Sequence, residues 1–166
     1  DAGCTQTTND ILGPYYKAGV NINNPLTDKA DFTIKGIVTS EDCITPLAGA
    51  LVEIWQANIN GEYTLEDDTN PYRSVQITNA KGEYSFQTNI PGKYSIGSQF
   101  RPAHIHFKIS EAKHTELITQ LYFKGDVDNN SDPWASAAEA QKRIVAIELV
   151  KGQKQASFNI HLNKTI

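Results

Sequence analysis

The sequence contains no methionine among its 166 residues. A translated chain normally begins with Met, so Asp1 is expected to follow a processed leader, a secretory signal being the natural one. Cysteine is nearly absent as well: Cys4 and Cys43 are the only two. Cys4 lies in a polar stretch and Cys43 in the turn-rich Ser40-Glu41-Asp42-Cys43. In an exported chain two such cysteines form a bridge more often than a metal site. Two unrelated free thiols are one alternative, and Ala2-Gly3-Cys4 leaves a lipid-modified Cys4 as a second, although Asp1 fits poorly in the apolar position that such a signal prefers. The expected location is therefore secreted or periplasmic, with a lipid-anchored form as the variant. Long apolar runs are missing too. None approaches the ~20 residues a transmembrane helix needs, and the longest cluster, Ile144 to Val150, is interrupted by Glu148 and reads as a strand. An excess of positive charge is also missing. The net charge of −4 provides no basic face for nucleic acid. Hydrophobic content of 39% and charged content of 20% suit an ordinary globule.

What is present is mostly strand. Phe32 to Thr39 alternates between apolar and polar residues, and Ala50 to Ala57 is β-branched and aromatic. Ser74 to Thr78 and Glu83 to Thr88 flank a hairpin turn at Asn79-Ala80-Lys81-Gly82. Ile90-Pro91-Gly92-Lys93 makes another turn. Glu116 to Phe123 follows, and Ile144 to Val150 and Gln155 to Leu162 meet at the turn Lys151-Gly152-Gln153. One helix is predicted, with Asp132 as N-cap, Pro133 as its first residue and an alanine-rich body from Trp134 to Lys142. About eight short strands at this spacing predict an all-β antiparallel sandwich with Greek-key connections, prealbumin-like, carrying one short helix. Residues 1–30 are polar and turn-rich and read as an N-terminal arm before the sandwich of residues 31–166. The acidic loop Glu66 to Asn70 lacks the ligand order of a calcium loop and reads as solvated. Trp55 and Trp134 are expected in the core, and His114 and His161 as structural or solvated.

The chemistry concentrates in Arg101-Pro102-Ala103-His104-Ile105-His106-Phe107. Side chains alternate along a strand, so His104 and His106 share a face about 7 Å apart and can converge on one ion. Alone, a His-x-His is more often a strand whose polar face carries two histidines. Other motifs stand around it: LVEIWQANINGEY from Leu51 to Tyr63, YRSVQITNAKGEY from Tyr72 to Tyr84, PGKY from Pro91 to Tyr94 and ITQLYF from Ile118 to Phe123.

In this order the motifs resemble the intradiol ring-cleavage dioxygenases, most closely the protocatechuate-type enzymes and their small secreted relatives. The likeness runs from about Gly13 to Phe123 and more loosely beyond. It implies an iron(III) site held by Tyr63, Tyr94, His104 and His106, with Tyr94 as the ligand that leaves when substrate chelates. Arg101 matches the family's active-site arginine, Gln120 a glutamine beside the iron, and Gly13-Pro14-Tyr15-Tyr16 the segment that closes over the pocket. The resemblance therefore implies Pro14, Tyr15, Tyr16 and Ile96 at the substrate, with the arm packed over the active site. Two positions depart from the family: Arg73-Ser74 stands where many relatives have Arg-Gly, and Ile96 where protocatechuate enzymes carry an aromatic. No helical N-terminal region like that of the dimeric catechol enzymes is present.

The donor set makes chemical sense. Iron(III) is hard and favours anionic oxygen, imidazole also suits it, and a bound cation holds a phenol ionised. Two phenolates and one hydroxide neutralise Fe³⁺. A catechol dianion can replace hydroxide and one phenolate without changing the count, and the two displaced bases can take the two catechol protons. The implied reaction uses a small catechol and O₂, cleaves the ring between its hydroxylated carbons and gives a muconate-type diacid. The rival reading is a non-catalytic transthyretin-like or carboxypeptidase-regulatory-like β-sandwich, which Ile34 to Ile54 and Thr78 to Tyr94 also resemble. The oligomeric state has no signature in the sequence.

Overall fold

A computed structural model describes Cys4 and residues 6–16, 25–63 and 72–165. In chain order its strands are β1 Phe32–Thr39, β2 Leu51–Gln56, β3 Arg73–Ile77, β4 Glu83–Thr88, β5 Ser95–Ile96, β6 Gln99–Phe100, β7 His104–Glu111, β8 His114–Phe123, β9 Ile144–Val145, β10 Glu148–Val150, β11 Gln153–Ser157 and β12 Ile160–His161. They form two five-stranded sheets and a small ribbon. The first sheet centres on β1, with β4 antiparallel on one edge and β11 then β12 parallel on the other, while β10 pairs with β11. The second runs β3-β2-β7-β8-β9, and β5-β6 is the ribbon. The sandwich is thus all-β, as the sequence predicts. It is not purely antiparallel, because β1–β11, β1–β12 and β8–β9 are parallel pairs.

The core follows from alternation. Phe32, Ile34, Val38, Tyr84, Phe86, Phe158 and Ile160 from the first sheet meet Val52, Ile54, Ile105, Phe107, Ile109 and Leu121 from the second, all of them buried. Fully burying a side chain of this size stabilises by about 1.5–3 kcal/mol. Because Ile105 and Phe107 fill the core, period-2 geometry turns His104 and His106 to the opposite face of the second sheet. Both are nevertheless only 3% exposed, since that face is covered by the N-terminal segment. The cover is hydrogen-bonded in place: Asp10 N donates to Ile118 O at 2.9 Å, and the Thr119 hydroxyl donates to Thr8 O at 2.8 Å.

Three expectations need correction. The alanine-rich stretch is not an α-helix. It forms a turn after Asp132 and a 3₁₀ segment, Ala138–Arg143, with Ala137 extended at ψ 146° between them. Asp132 does cap, its Oδ2 accepting from Trp134 N and Ala135 N, but Gln141 Nε2 takes the carbonyls of Ala135 and Ala137. Ala135 and Ala140 are buried against Tyr122, and this tertiary packing overrides the local propensity. Secondly, Ile144 to Val150 divides between the two sheets as β9 and β10, and Gln155 to Leu162 divides at Phe158-Asn159. There Tyr84 donates its hydroxyl to Phe158 O at 2.5 Å, and Asn159 Oδ1 accepts from Ile37 N at 3.1 Å. Thirdly, Trp134 is only partly buried and carries the Arg101 guanidinium 4.5 Å above its ring.

Cys4 and Cys43 are disulfide-bonded, with Cα atoms 5.8 Å apart, which resolves the alternative left open at Cys4. His114 and His161 are structural, bonded to Ser40 Oγ at 2.8 Å and Thr39 Oγ1 at 2.5 Å. The acidic loop Glu66 to Asn70 and, in the arm, residues 1–3, 5 and 17–24 lie outside the described residues.

Candidate metal centre

Three segments converge outside the second sheet. Strand β7 supplies His104 and His106. The loop after β2 supplies Tyr63, and the turn after β4 supplies Tyr94. These last two segments are locked by backbone contact: Asn58 O accepts from both Gly61 N and Gly92 N, at 3.0 and 2.9 Å. A Cβ on Gly92 would stand 2.4 Å from Gly61 N, and one on Gly61, where φ is +81°, would stand 2.2 Å from Lys93 O. Only glycine allows so close an approach at a positive φ. The spacing of the two tyrosines is therefore set by this glycine pair.

The donor atoms point at one another. Tyr63 Oη lies 3.2 Å from His104 Nε2 and 3.0 Å from His106 Nε2. His104 Nδ1 lies 2.7 Å from Pro102 O. A carbonyl only accepts, so Nδ1 carries the hydrogen and Nε2 presents its lone pair. His106 Nδ1 has no partner among the described residues that fixes its tautomer, so Tyr63 Oη and both Nε2 atoms can all turn lone pairs to one cation placed between them. Burial, then the Arg101 charge, lowers the pKa of His104 to about 4. Burial likewise lowers that of His106, reinforced by His104 and then by Arg101 and Arg73. Both rings are thus neutral at pH 7, as metal ligation requires. Burial raises the Tyr63 pKa above the usual phenol range, and a bound cation reverses that penalty. The residues present therefore fit an iron(III) ion. Among the described residues no group of three or more His, Cys, Asp or Glu gathers, so the donors here are imidazole and phenol.

The second tyrosine is reached through a third. Tyr15 stacks on Tyr63 with ring centroids 4.1 Å apart and planes within 4°, and its hydroxyl bonds the Tyr94 hydroxyl. That bond, then burial, pushes the Tyr15 pKa up to about 12, so Tyr15 stays a neutral donor. Gly13, at φ +75°, brings the arm against His106, where a Cβ would lie 3.2 Å from Cε1. The opposite support is Trp55, stacked on His106 at 5.0 Å. Trp55 Nε1 and His106 Nδ1 are buried with no hydrogen-bond partner among the described residues. Tyr16 reaches past the donors to pack on Trp55 at 4.9 Å and to accept from Lys108 Nζ at 3.0 Å. Pro14 and Ile96 are exposed, the latter by 52%.

Arg101 is buried beside the donors. Its Nη1 lies 3.5 Å from His104 Nε2, and Asp132 holds Nε and Nη2 bidentately at 2.9 and 3.1 Å. Burial opposes both charges, but the pair prevails, raising the arginine's pKa and lowering the aspartate's. Gln120 accepts from Arg101 Nη2 at 3.1 Å through Oε1 and donates Nε2 to Ile11 O at 2.9 Å. Sequence reasoning placed Asp132 only as a helix cap and missed Arg73, which is 5% exposed and donates to Tyr15 O. A lone arginine at the head of a strand carries no pattern that marks it as buried.

A family model described as Dioxygenase matches residues 11–164. The chain is 37% identical over 145 residues to catechol 1,2-dioxygenase 2 of Acinetobacter lwoffii, covering 72% of this chain and 52% of that protein. It is also 37% identical over 131 residues to the protocatechuate 3,4-dioxygenase beta chain of Burkholderia cepacia, covering 69% and 54%. The chain spans about half the length of these curated relatives. Among solved structures, the dioxygenase domain of a carbohydrate-binding fusion protein from Streptomyces sp. SirexAA-E superposes with TM-score 0.84 at 27% identity, over 97% of this chain and 100% of that one. The 3-chlorocatechol 1,2-dioxygenase of Rhodococcus opacus 1CP gives 0.83 at 25% identity, over 99% and 76%. With its sandwich, its donor set and a family match across nearly all its length, the chain belongs to the intradiol ring-cleavage dioxygenases.

Proposed function

We propose that this chain is a non-haem iron(III) intradiol dioxygenase that cleaves catecholic rings between the two hydroxylated carbons. The observation that carries this reading is Tyr63 Oη within 3.2 Å of both imidazole Nε2 atoms. Iron(III) bound by Tyr63, Tyr94, His104 and His106 would supply Lewis acidity and make the chelated ring reactive toward O₂. The protein's part is positioning, charge and proton transfer. His104 and His106 bind as neutral bases, and Tyr63 stays ionised as the anchoring donor. Tyr94 Oη is placed to take one catechol proton, and the Tyr15 hydroxyl beside it keeps that oxygen hydrogen-bonded. Arg101 adds fixed positive charge where the ring accumulates negative charge, in a site already shielded from water. Catecholic substrates are supported by the names of the relatives, and an exported location by the disulfide, since such bridges persist in oxidising compartments.

A non-catalytic sandwich would have no use for a complete donor set with a buried arginine against it, so the binding-module reading is not favoured. Iron content and the visible spectrum test the proposal. The wild type should hold one iron(III) per chain and absorb in the visible through phenolate-to-iron charge transfer. Tyr63→Phe and His106→Ala should each lose metal or shift the band. Full iron content with an unchanged spectrum in both variants would overturn the ligand assignment.

A further inference from the structure

The proposed chemistry leaves a second buried ion pair unused. Arg143 Nη1 lies 2.8 Å from Asp10 Oδ2, with side chains 2% and 3% exposed. Breaking such a pair is costly, and well-packed apolar residues of the same volume often serve as well for stability alone. The pair's connections lead to the metal centre.

Tyr122 stands between the two ion pairs. Its hydroxyl lies 2.7 Å from Asp10 Oδ2, 3.0 Å from Gln120 Oε1 and 3.3 Å from Arg101 Nη2. A phenol has one hydrogen to give. The carboxylate is both the closer and the stronger acceptor, so the hydrogen goes to Asp10 and an oxygen lone pair faces Arg101. Gln120 Oε1 is then left to Arg101 Nη2, 3.1 Å away. The amide cannot turn over, because its Nε2 donates to Ile11 O at 2.9 Å. Arg143 fixes both ends of the arrangement. Besides Asp10 it donates to Gln120 O at 2.7 Å, Thr8 Oγ1 at 2.9 Å and Asn9 O at 3.4 Å. With the carboxylate removed, as in Asp10→Asn, the Tyr122 hydrogen could turn to Gln120 Oε1 and take that acceptor from Arg101.

We propose that Asp10, held by Arg143, is a positioning residue for Arg101. Acting through Tyr122 and Gln120, it orients the guanidinium beside His104, so that the covering arm and the charge-stabilising arginine operate as one unit. This rests on the reading of Arg101 given above.

Two variants cut the connection at different points. Asp10→Asn removes the charge that polarises Tyr122, while Tyr122→Phe leaves the Asp10–Arg143 pair intact and removes the link. On iron-loaded protein each should lower kcat by about tenfold to a hundredfold, the scale of a misoriented group, with KM, iron content and visible band little changed. In an Arg101→Ala background neither should cost anything more. Fully additive losses there would show that Asp10 acts independently and would overturn the proposal. Exchange of the Arg101 Nη–H hydrogens, the ones that meet Gln120 and Tyr122, followed by NMR, provides a readout separate from turnover. It should be slow in the wild type and at least about tenfold faster in both variants, the mark of a lost local constraint. Unchanged exchange in both sinks the proposal even if turnover falls. A wild type that cleaves no catechol refutes the proposed function instead, and the exchange measurement still decides whether Asp10 orients Arg101.

Discussion

Free of metal, the fold should be acid-sensitive in a window set by His104. In the native state its pKa is lowered to about 4 by burial, then by Arg101, from an ordinary value of 6.5. The sign follows from proton uptake. Between pH 6.5 and 4 the unfolded chain binds a proton at this ring and the native chain does not, so stability is full above 6.5 and declines as the pH falls. A gap of about 2.5 units at 1.36 kcal/mol each gives a loss of about 3 kcal/mol across the window. His106 and His161, both lowered by burial, act in the same direction. The Asp132 carboxylate enters only below its unfolded pKa of about 3.9, because its native pKa is depressed. The assay is urea denaturation of chelator-treated protein at pH 7, 5.5 and 4.5, followed by tryptophan fluorescence, with His104→Gln beside the wild type. The wild type should lose stability steadily and the variant should lose less. A midpoint that stays flat from pH 7 to 4.5 would refute the account of a buried, neutral ligand pair.

Three further outcomes are expected. Replacing Cys4 and Cys43 by Ser opens a loop with a sequence separation of 39 and should cost about 4 kcal/mol in the chain-entropy account, read as a lower denaturation midpoint. Gly92→Ala should push the Tyr63 and Tyr94 segments apart and abolish or displace the visible band, whereas Gly97→Ala, whose Cβ meets nothing within 4 Å, should leave the band in place. Arg101→Ala should keep its iron while turnover falls by roughly 10²–10³-fold, as for the loss of one electrostatic stabiliser; undiminished turnover would remove the arginine from the mechanism.

How much of this was legible in the sequence varied with how local the cause was. Strands β1 and β4 fall at their predicted limits because one face of each is apolar at every second position. His104 and His106 share a face for the same reason. The disulfide was readable from the presence of only two cysteines. The helix was not, because what decides residues 132–143 is non-local: Asp132 is drawn to Arg101, and Ala135 and Ala140 pack on Tyr122. Nor could pattern show that β11 and β12 would add in parallel to β1, a matter of chain crossing and not of period. The proposed ligands stood in motifs, while their supports did not. Asp10, Arg143, Arg73 and Trp55 are ordinary residues until the fold brings them beside Arg101 and His106.

The central claim is the reaction, and product analysis under isotopically labelled O₂ tests it most directly. Iron-loaded protein given catechol should yield a muconate-type diacid carrying both labelled oxygen atoms, because a site with two tyrosinates favours ferric iron and activation of the organic substrate. A semialdehyde from cleavage outside the diol, or no oxygen uptake with any catechol, would contradict it.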